Sequence, residues 1–370
     1  MIISYVNGIC VKNDAISNSI RDEVSWLMSQ PNNEVRLYAY KCEHEELPFT
    51  KVNNVMDIIT DPHFKSSDLV VFHFGVYSEL FNLLLVVQKS AKRLVVFHNI
   101  TPKEYVAIES HSLIEKSFQQ MSNIIFADQV ICVSETNLEV LQSAGINVPT
   151  KVLPLAVHGT TFQMPNTKLS FIDGLIRIVF VGRFVSSKGP GELIESLHKI
   201  LTQNPFVHVE LDMIGNLSFS DVALLEKVRM MAQETQLSFQ GRVKITIQGN
   251  ATEEMKQKLL RDADIFVLPT YHEGFCVPII EALGSGCKVI AYKNSNTPAI
   301  SGGFAKLTPT GDVEALTTAI KDTIFEVTTQ LWKTQEVGSY LDYSQKVGEY
   351  VKQYYPEQVK RQFLTFIYAL

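Results

Sequence analysis

Two glutamates, Glu273 and Glu281, are separated by seven residues in the segment YHEGFCVPIIEALGSG (271–286). An ionised carboxylate only accepts hydrogen bonds, and it can take two from the neighbouring hydroxyls of a diol. Pro278 suits the first position of a helix, so we expect Glu273 in the preceding loop and Glu281 one turn inside the helix. The spacing indicates a ligand with diols at both ends, such as a diphosphate that joins two sugars. The alternative is that each glutamate only complements the helix dipole, which is worth roughly 0.3–1 kcal/mol.

The backbone between these glutamates suits a phosphate group. Gly274 has no side chain, so the main chain can approach a ligand closely. We expect the amides of Gly274, Phe275 and Cys276 to point outward, where N–H groups and the helix dipole together favour an anion. A phosphate bound there would have Glu273 on one flank and Glu281 on the other.

A cationic loop lies in the segment FVGRFVSSKGPGELIESL (180–197), after another predicted strand. Gly182 and Arg183 follow the strand directly, and Lys188 precedes a helix that begins near residue 190. Fixed positive charge beside a helix N-terminus predicts a diphosphate site. The alternative is a solvated loop with two unrelated surface charges. The sequence contains no Walker loop, and no GxGxxG fingerprint follows the first strand of either half.

Further predicted strand ends carry weaker signals. The turn QGN contains Gly249, which would admit the face or edge of a base, although the alternative is an ordinary strand-to-helix turn. In the first half, His98 and Asn99 end a strand ahead of a helix. His73 and Asp14 lie at neighbouring strand ends, and we expect these residues to line a pocket for an acceptor. The alternative for a lone strand-end histidine is a structural role.

The elements that position these residues alternate along the chain in two series. Short apolar, β-branched runs are separated by segments of helical period, which is typical of parallel α/β sheets. The predicted strands are 1–6, 35–40, 69–74, 93–98, 129–133 and 150–154, then 176–182, 208–215, 243–249, 265–269 and 288–292. The predicted helices are 15–30, 77–90, 104–122, 134–144, 190–203, 221–235, 252–263, 278–284 and 312–328. Ligands of such sheets bind at the carboxyl ends of the strands, where the residues above are placed.

The predicted linker between the two series is the polar, turn-rich segment 155–174, which has no clear period. Asp14 is expected to cap the first helix, 15–30, and Ser134 is expected to cap the helix 134–144. The tail 343–370 has the pattern of an amphipathic helix broken at Pro356.

Length and composition indicate an ordinary folded protein. The 370 residues exceed one typical core, so two domains are expected. A net charge of −6 argues against nucleic-acid binding. Five scattered cysteines indicate reduced thiols, and we find neither a signal peptide nor an apolar run long enough for a membrane span. We therefore expect a cytoplasmic protein. No Asp-x-Asp pair or histidine cluster accompanies the two glutamates, so neither a metal nor another cofactor is expected.

The segment EGFCVPIIEAL (273–283) resembles the E-x7-E motif of family 4 retaining glycosyltransferases, which have the GT-B fold. VGRFVSSKG is similar to the family's donor-phosphate loop, and HNITP resembles a strand-end motif of one bacterial branch. VSETNLEVLQSAG, VLPLAV and NTPAISGGFAKL follow in the family's order, so the resemblance covers essentially the whole chain. It implies two Rossmann-like doubly wound α/β domains facing each other across a cleft. These are an acceptor-side domain over 1–160, a linker and donor domain over 161–342, and a helix crossing back over 343–370.

The resemblance implies that Arg183 and Lys188, beside Gly182, hold the donor's diphosphate and stabilise it as it leaves. Family members of this kind have no obvious enzymic nucleophile. Retention of configuration is drawn as a front-face reaction, in which the departing phosphate takes the acceptor's proton. Leaving-group stabilisation is then the main task of the protein.

The same resemblance implies roles for the other matching residues. Glu273, with the amides of residues 274–276, would hold the hydroxyls of the transferred sugar. Glu281 would bind the ribose of the nucleotide, and Gly249 would meet the base. His98 would lie beside the sugar on the acceptor side.

Two departures from the family pattern bear on these roles. Cys276 stands where many members have glycine, and a positive φ there would cost a cysteine about 1 kcal/mol. The glycine pair that often follows the first strand is missing, and only Gly8 is present. We therefore expect an acceptor side of different shape.

The donor and acceptor are expectations from the branch that carries HNITP, which includes enzymes of cell-surface polysaccharide assembly such as lipopolysaccharide. We rank GDP-mannose first and a UDP-sugar second, with a glycan or lipid-linked acceptor. Residues 1–160 contain 12 Lys and Arg against 17 Asp and Glu, a net charge of −5, which does not favour anionic lipid. A local basic patch, and contact with the inner membrane face or a biosynthetic complex, stay open.

Three other functions compete with a transferase on this architecture. A sugar-nucleotide epimerase would release an altered nucleotide sugar without any acceptor. A disaccharide phosphorylase would use inorganic phosphate as the acceptor. A non-catalytic nucleotide-sugar binder would have no physical need for Arg183, Lys188, Glu273 and Glu281 together.

Overall fold

The structure, a computed structural model, describes residues 1–159, 164–217 and 220–370. This part of the chain divides into two units, Met1–Ala156 with Tyr354–Leu370 and Val157–Gln353. The predicted boundary between residues 160 and 161, with the adjoining part of the predicted linker, lies outside the described residues. The predicted C-terminal segment 343–370 is divided between the units after Gln353.

The strands of the first unit are β1 (Ile2–Val6), β2 (Ile9–Cys10), β3 (Glu34–Ala39), β4 (Lys41–Cys42), β5 (Phe49–Lys51), β6 (Leu69–Phe74), β7 (Lys92–Phe97), β8 (Gln129–Cys132) and β9 (Thr150–Val152). Those of the second are β10 (Ile176–Val181), β11 (Val209–Gly215), β12 (Val243–Gly249), β13 (Ile265–Leu268), β14 (Lys288–Tyr292) and β15 (Ala305–Thr308). Every predicted strand is confirmed to within two residues, because each is a short apolar run between turn signals.

The helices are α1 (Ala15–Met28), α2 (Val55–Ile59), α3 (Pro62–Lys65), α4 (His111–Met121), α5 (Glu135–Ser143), α6 (Ser170–Asp173), α7 (Pro190–Gln203), α8 (Val222–Ser238), α9 (Glu253–Asp262), α10 (Val277–Gly284), α11 (Thr297–Ile300), α12 (Val313–Thr328), α13 (Tyr340–Val351) and α14 (Pro356–Ile367). In the described part of the chain, no helix combines the length and the apolar run that a bilayer span requires.

The first unit is built on a seven-stranded parallel sheet in the order β5-β3-β1-β6-β7-β8-β9. Strands β6 and β7 are buried along most of their length, as expected for a sheet covered on both faces. The chain runs outward from β1 in one direction and from β6 in the other. The order therefore reverses between these two strands.

Helix α1 lies beside this sheet and carries a buried apolar face. Its first turn is capped by Asp14, whose Oδ2 accepts hydrogen bonds from the amide of Ser17 at 2.9 Å and from its hydroxyl at 2.7 Å. This confirms the predicted cap. The buried face repeats at Ile20, Val24 and Leu27, which is helical spacing.

The second unit is built on a six-stranded parallel sheet in the order β12-β11-β10-β13-β14-β15. This is the doubly wound order 3-2-1-4-5-6, with the reversal between β10 and β13. The two strands pair in parallel, with Ile178 opposite Ile265 and Val179 opposite Phe266.

Two helix predictions in the first unit were wrong in type or extent. The segment predicted as a helix at 77–90 is a 3-10 helix over Glu79–Leu85, and its buried residues form pairs three apart, the repeat of that helix. The segment predicted at 104–122 becomes α-helical only at His111. Extended backbone at Val106 and Ala107 separates two short 3-10 turns that precede it.

Candidate functional site

The candidate site of the second unit begins where the strand order reverses. Lys188 lies in the loop between β10 and α7, and Glu273 lies in the loop between β13 and α10. In doubly wound sheets the crevice outside the carboxyl ends of the strands at this point is where ligands bind. The topology thus brings together the two loops that the sequence analysis selected independently.

Lys188 and Glu273 form a direct ion pair. The Nζ of Lys188 lies 2.5 Å from Oε1 of Glu273, and the side chains are only 16% and 10% exposed. An ammonium has three N–H donors, and among the described residues this one donates only to Glu273. Two donors therefore remain for an anionic ligand.

The two loops are fastened to each other. The amide of Tyr271 donates to the carbonyl of Ser187 at 2.8 Å, and the hydroxyl of Thr270 donates to the same carbonyl at 3.2 Å. Gly189 has φ +59°, and a Cβ there would lie 2.5 Å from the carbonyl oxygen of Pro269. Only glycine allows this close approach, so Lys188 is held beside the loop that carries Glu273.

A third segment supports the loop of Glu273. The side-chain amide of Asn296 donates to the carbonyl of Phe275 at 2.9 Å, and the amide of Glu273 donates to the hydroxyl of Ser295 at 3.4 Å. Gly274 lies between these two anchored positions. The conformation of the predicted phosphate loop is therefore set by backbone contacts on both sides.

Cys276 is the N-cap residue of α10 and has φ +78°, in the left-handed region. A non-glycine residue there costs roughly 1–2 kcal/mol of backbone strain. Its side chain is buried, and burial, followed by the neighbouring Glu273 carboxylate, raises the pKa of the thiol well above its ordinary value. The thiol is therefore a neutral packing group.

Glu281 is buried in α10 and forms a second ion pair with a residue that the sequence analysis missed. The Nζ of Lys256 in α9 lies 2.6 Å from Oε1 of Glu281 and 2.9 Å from Oε2 of Glu253. Burial raises the pKa of Glu281 despite the lysine. Burial alone would lower the pKa of Lys256, but the carboxylates of Glu281 and Glu253 outweigh it and raise that pKa. Oε2 of Glu281 accepts no hydrogen bond from a described residue, so it is available to a ligand.

The other residues predicted for the donor site are placed differently. Arg183 is exposed and forms no ion pair within the described chain. The amide of Gly182 donates to the carbonyl of Ile214 at 2.9 Å and is part of the sheet. At Gly249 a Cβ would overlap the side chain of Leu217, so the glycine allows this side chain to approach closely.

The first unit has a hydrogen-bonded chain of three residues at its own strand reversal. Nε2 of His73, on β6, lies 3.0 Å from Oε2 of Glu23, and its Nδ1 lies 2.8 Å from Nε2 of His98, which follows β7. The two rings stack with centroids 5.1 Å apart. The His73 side chain is 1% exposed and contacts His98, so any role of His73 toward an acceptor would act through His98.

Asn99 and Asp14, the other predicted acceptor-side residues, serve the local backbone. Asn99 has φ +74°, and its Oδ1 accepts a hydrogen bond from the amide of Ile100 at 2.7 Å. Its Nδ2 is buried without a partner in the described structure. The Oδ2 of Asp14 is used in the helix cap, so no ligand contact is required to explain either residue's conformation.

Comparison with known proteins identifies the larger part of the second unit. Residues 176–324, which contain both ion pairs, match the family described as Glycosyl transferases group 1. This stretch is a group 1 glycosyltransferase domain. It runs from β10 through most of α12 and so includes every strand of the second sheet.

Curated relatives of this glycosyltransferase domain are matched over only part of their own length. The chain is 30% identical over 131 residues to the D-inositol 3-phosphate glycosyltransferase of Corynebacterium jeikeium, which is 35% of this chain and 30% of the relative. It is 26% identical over 175 residues to one subunit of the phosphatidylinositol N-acetylglucosaminyltransferase of Arabidopsis thaliana, 47% of this chain and 36% of the relative. The chain thus spans about a third of the length of these relatives.

Solved structures show the fold of the whole chain. Sucrose-phosphate synthase from Thermosynechococcus elongatus superimposes with a TM-score of 0.71 at 18% identity, over 99% of this chain and 98% of that one. At this identity the likeness concerns the fold alone. Together with the two parallel sheets, it confirms the predicted α/β GT-B fold with two Rossmann-like halves.

Proposed function

We propose that the protein is a retaining glycosyltransferase that moves a hexose from a nucleotide sugar to a glycan or lipid-linked acceptor. GDP-mannose ranks first as the donor and a UDP-sugar second. The reaction serves surface polysaccharide synthesis, such as that of lipopolysaccharide, in the cytoplasm or at the inner membrane face. The observation that carries the proposal is the set of two lysine–carboxylate pairs, Lys188 with Glu273 and Lys256 with Glu281, in the group 1 domain.

In this proposal the donor's diphosphate binds Lys188 and Arg183. Lys188 keeps its bond to Glu273 and uses its two remaining N–H donors for phosphate oxygens. Arg183 is exposed and forms no ion pair in the described chain, so its guanidinium is available for a bidentate contact. Because these side chains supply the positive charge, the reaction proceeds without a metal or another cofactor.

The two carboxylates bind the neutral ends of the donor. Glu273, at the loop before α10, accepts hydrogen bonds from hydroxyls of the transferred hexose. The free Oε2 of Glu281 accepts from the ribose, while Lys256 holds Oε1 and opposes the effect of burial by favouring the ionised, acceptor-only form. The chemistry of two acceptors flanking a cationic loop fits a nucleoside diphosphate sugar.

The proposed reaction proceeds on one face of the sugar. The bond between the anomeric carbon and the diphosphate oxygen breaks, and the acceptor oxygen forms its bond to that carbon from the same side. The acceptor's proton passes to the departing diphosphate. The charge that develops on the leaving group is stabilised by Lys188 and Arg183, which are already in place before the bond breaks.

The first unit binds the acceptor in this proposal, with His98 as the residue that contacts a hydroxyl. The names of two relatives specify an inositol phosphate and a phosphatidylinositol, which supports a polyhydroxylated acceptor with or without a lipid. Contact with a membrane face or a biosynthetic complex would follow from a lipid-linked acceptor.

The proposal is tested by incubating the purified protein with GDP-mannose or a UDP-sugar, with and without a polyhydroxylated acceptor. Release of nucleoside diphosphate that depends on the acceptor, with a glycosylated product, is the expected result. An altered nucleotide sugar formed without acceptor would identify an epimerase instead. Turnover that requires inorganic phosphate would identify a phosphorylase, and nucleotide binding without any turnover would indicate a binding protein.

A further inference from the structure

The buried carboxylate of Glu23 lies within hydrogen-bond distance of three side-chain groups. Its Oε2 accepts from the hydroxyl of Tyr5 at 3.1 Å, and its Oε1 accepts from the hydroxyl of Ser19 at 2.8 Å. Nε2 of His73 lies 3.0 Å from the same Oε2. In its ionised form this carboxylate can only accept hydrogen bonds, so His73 donates to it from a hydrogen on Nε2.

The position of this hydrogen sets the protonation of the next imidazole in the chain. When His73 carries a single hydrogen, on Nε2, its Nδ1 has a lone pair that accepts a hydrogen bond. Its partner at 2.8 Å is Nε2 of His98, which must then be the donor. A neutral His98 with its hydrogen on Nε2 has a lone pair on Nδ1. Among the described residues, no group forms a hydrogen bond to this Nδ1, and the His98 side chain is partly exposed.

We infer that Glu23 and His73 are positioning residues that fix His98 in its Nε2–H tautomer and present its Nδ1 as a hydrogen bond acceptor to a ligand hydroxyl. The ligand class rests on the proposed function, in which His98 contacts a sugar. An acceptor group of a ligand, such as a carboxylate or a phosphate oxygen, would find no donor at this nitrogen. The tautomer itself follows from the geometry of the first unit and does not depend on any activity.

The packing around Glu23, His73 and His98 supports this arrangement of their hydrogen bonds. The rings of His73 and His98 stack with their planes 22° apart, so each imidazole packs against the other. Glu23 lies on the buried face of α1, three residues after Ile20, so its carboxylate is held toward β6. Burial also lowers the pKa of His98 well below its ordinary value, which favours the neutral imidazole.

The tautomer is measured directly by long-range proton–nitrogen NMR of the protein labelled with nitrogen-15 histidine, in the absence of any substrate. His98 is assigned by the loss of its signals in His98→Asn. The expected spectrum shows a protonated Nε2 and an unprotonated Nδ1 for both His73 and His98. A protonated Nδ1 on His98 would overturn the inference, whatever the outcome of the activity assays.

Two variants of Glu23 test whether this residue positions the tautomer of His98 or only supports the fold. Glu23→Gln keeps an oxygen for His73 and is expected to keep the tautomer, whereas Glu23→Leu removes the acceptor and should give a mixture of tautomers at His98. The control is Glu34→Leu, which removes an exposed carboxylate 3.8 Å from His63 and should leave the spectrum of His98 unchanged. An unaltered His98 tautomer in folded Glu23→Leu would contradict a positioning role.

Kinetic measurements on the same variants then test whether the tautomer of His98 affects use of the acceptor. In Glu23→Leu we expect kcat/KM for the acceptor to fall about tenfold, the worth of roughly one hydrogen bond, with the donor KM unchanged. Glu23→Gln should retain most of the activity. If the tautomer is as inferred but acceptor kinetics do not change, the contact of His98 with a ligand hydroxyl is disproved. If no variant or parent turns over any nucleotide sugar, the proposed function fails while the tautomer still stands on the NMR result.

Discussion

The ammonium of Lys188 lies 2.5 Å from the carboxylate of Glu273, although the two residues follow different strands and are 85 positions apart in the chain. The strands β10 and β13 are neighbours only because the sheet reverses its order between them. The pair places a cation, which can bind a phosphate, beside a carboxylate, which can accept hydrogen bonds from hydroxyls. A phosphorylated sugar carries both kinds of group. The sheet topology thus brings the two residues of the proposed donor site together before any ligand binds.

Removal of the Lys188 ammonium should reduce turnover more than binding. In Lys188→Ala we expect kcat to fall about 10²–10³-fold, because the leaving diphosphate loses a fixed donor that acts as its charge develops. The KM for the donor should change by less than about tenfold. Lys199→Ala serves as the control, since Lys199 is a lysine of α7 that pairs with Glu195 and Glu314. Equal kinetic constants in Lys188→Ala and the parent would remove Lys188 from the site.

Lys256→Met should destabilise the fold, because Glu281 would remain buried without its cation. We expect the free energy of unfolding at neutral pH to fall by about 3 kcal/mol, measured by chemical denaturation. Burial already raises the pKa of Glu281, and loss of Lys256 raises it further. A protein in which a carboxyl group has a raised pKa in the folded state loses stability as the pH rises through that pKa. The free energy of unfolding of the variant should therefore recover on acidification.

The matched control is Lys258→Met, two residues along α9, where the lysine is exposed and pairs with Asp262. It should change stability by less than about 1 kcal/mol. A Lys256→Met variant that is no less stable than this control would show that the buried pair contributes little.

The positive φ of Cys276 predicts an unusual order of two variants. Where φ is negative, replacing glycine by alanine usually stabilises a protein, but here alanine keeps the left-handed strain and glycine removes it. Both variants lose the thiol, so their difference isolates the backbone effect. We expect Cys276→Gly to be more stable than Cys276→Ala by about 1 kcal/mol in denaturant titrations. The reverse order would mean that this residue is not left-handed in solution.

Stability should fall as the solution becomes more acidic than about pH 6.5. Burial is the first cause that lowers the pKa of His98, His272 and His63, so these residues stay neutral when folded and become protonated in the unfolded chain below 6.5. The unfolded state then binds more protons, and each histidine can contribute a slope of up to about 1.4 kcal/mol per pH unit. In His98→Asn the slope between pH 5 and 6.5 should decrease. An unchanged slope would place the imidazole of His98 in solvent.

The sequence was sufficient for the eleven predicted strands, because each is a short apolar run that turn residues bound on both sides. It was also sufficient for helix caps, such as Ser134, whose hydroxyl accepts from the amide of Asn137 at 3.2 Å. It was not sufficient for the edge strands β5 and β15, which are short and only partly buried. It was also insufficient where tertiary contacts decide. Lys168 lies in the segment predicted as a polar linker, yet it is fully buried and donates to three backbone carbonyls, of Arg261, Ala263 and Ser285.

In the candidate site too, local patterns predicted some residues, and residues whose role depends on long-range contacts were missed. Glu273, Glu281 and Lys188 were found because glycine, proline and strand-end positions mark the backbone around them. Lys256 and Glu23 were missed because their partners, Glu281 and His73, lie 25 and 50 residues away in the chain. Local sequence patterns do not predict such long-range pairs. A signal for Glu23 was present, since a charged residue on the apolar face of α1 needs a buried partner.

Thermal unfolding in the presence of GDP, UDP, ADP and their sugar conjugates tests most directly whether Glu281 and its neighbours bind a nucleoside diphosphate. Ligand at 100 times its dissociation constant should stabilise the protein by about 2.7 kcal/mol. We expect a rise in melting temperature with one nucleotide. The rise should be kept in Glu254→Ala, which changes an exposed residue of α9, and lost in Glu281→Ala. No rise with any nucleotide, or an equal rise in Glu281→Ala, would contradict this binding.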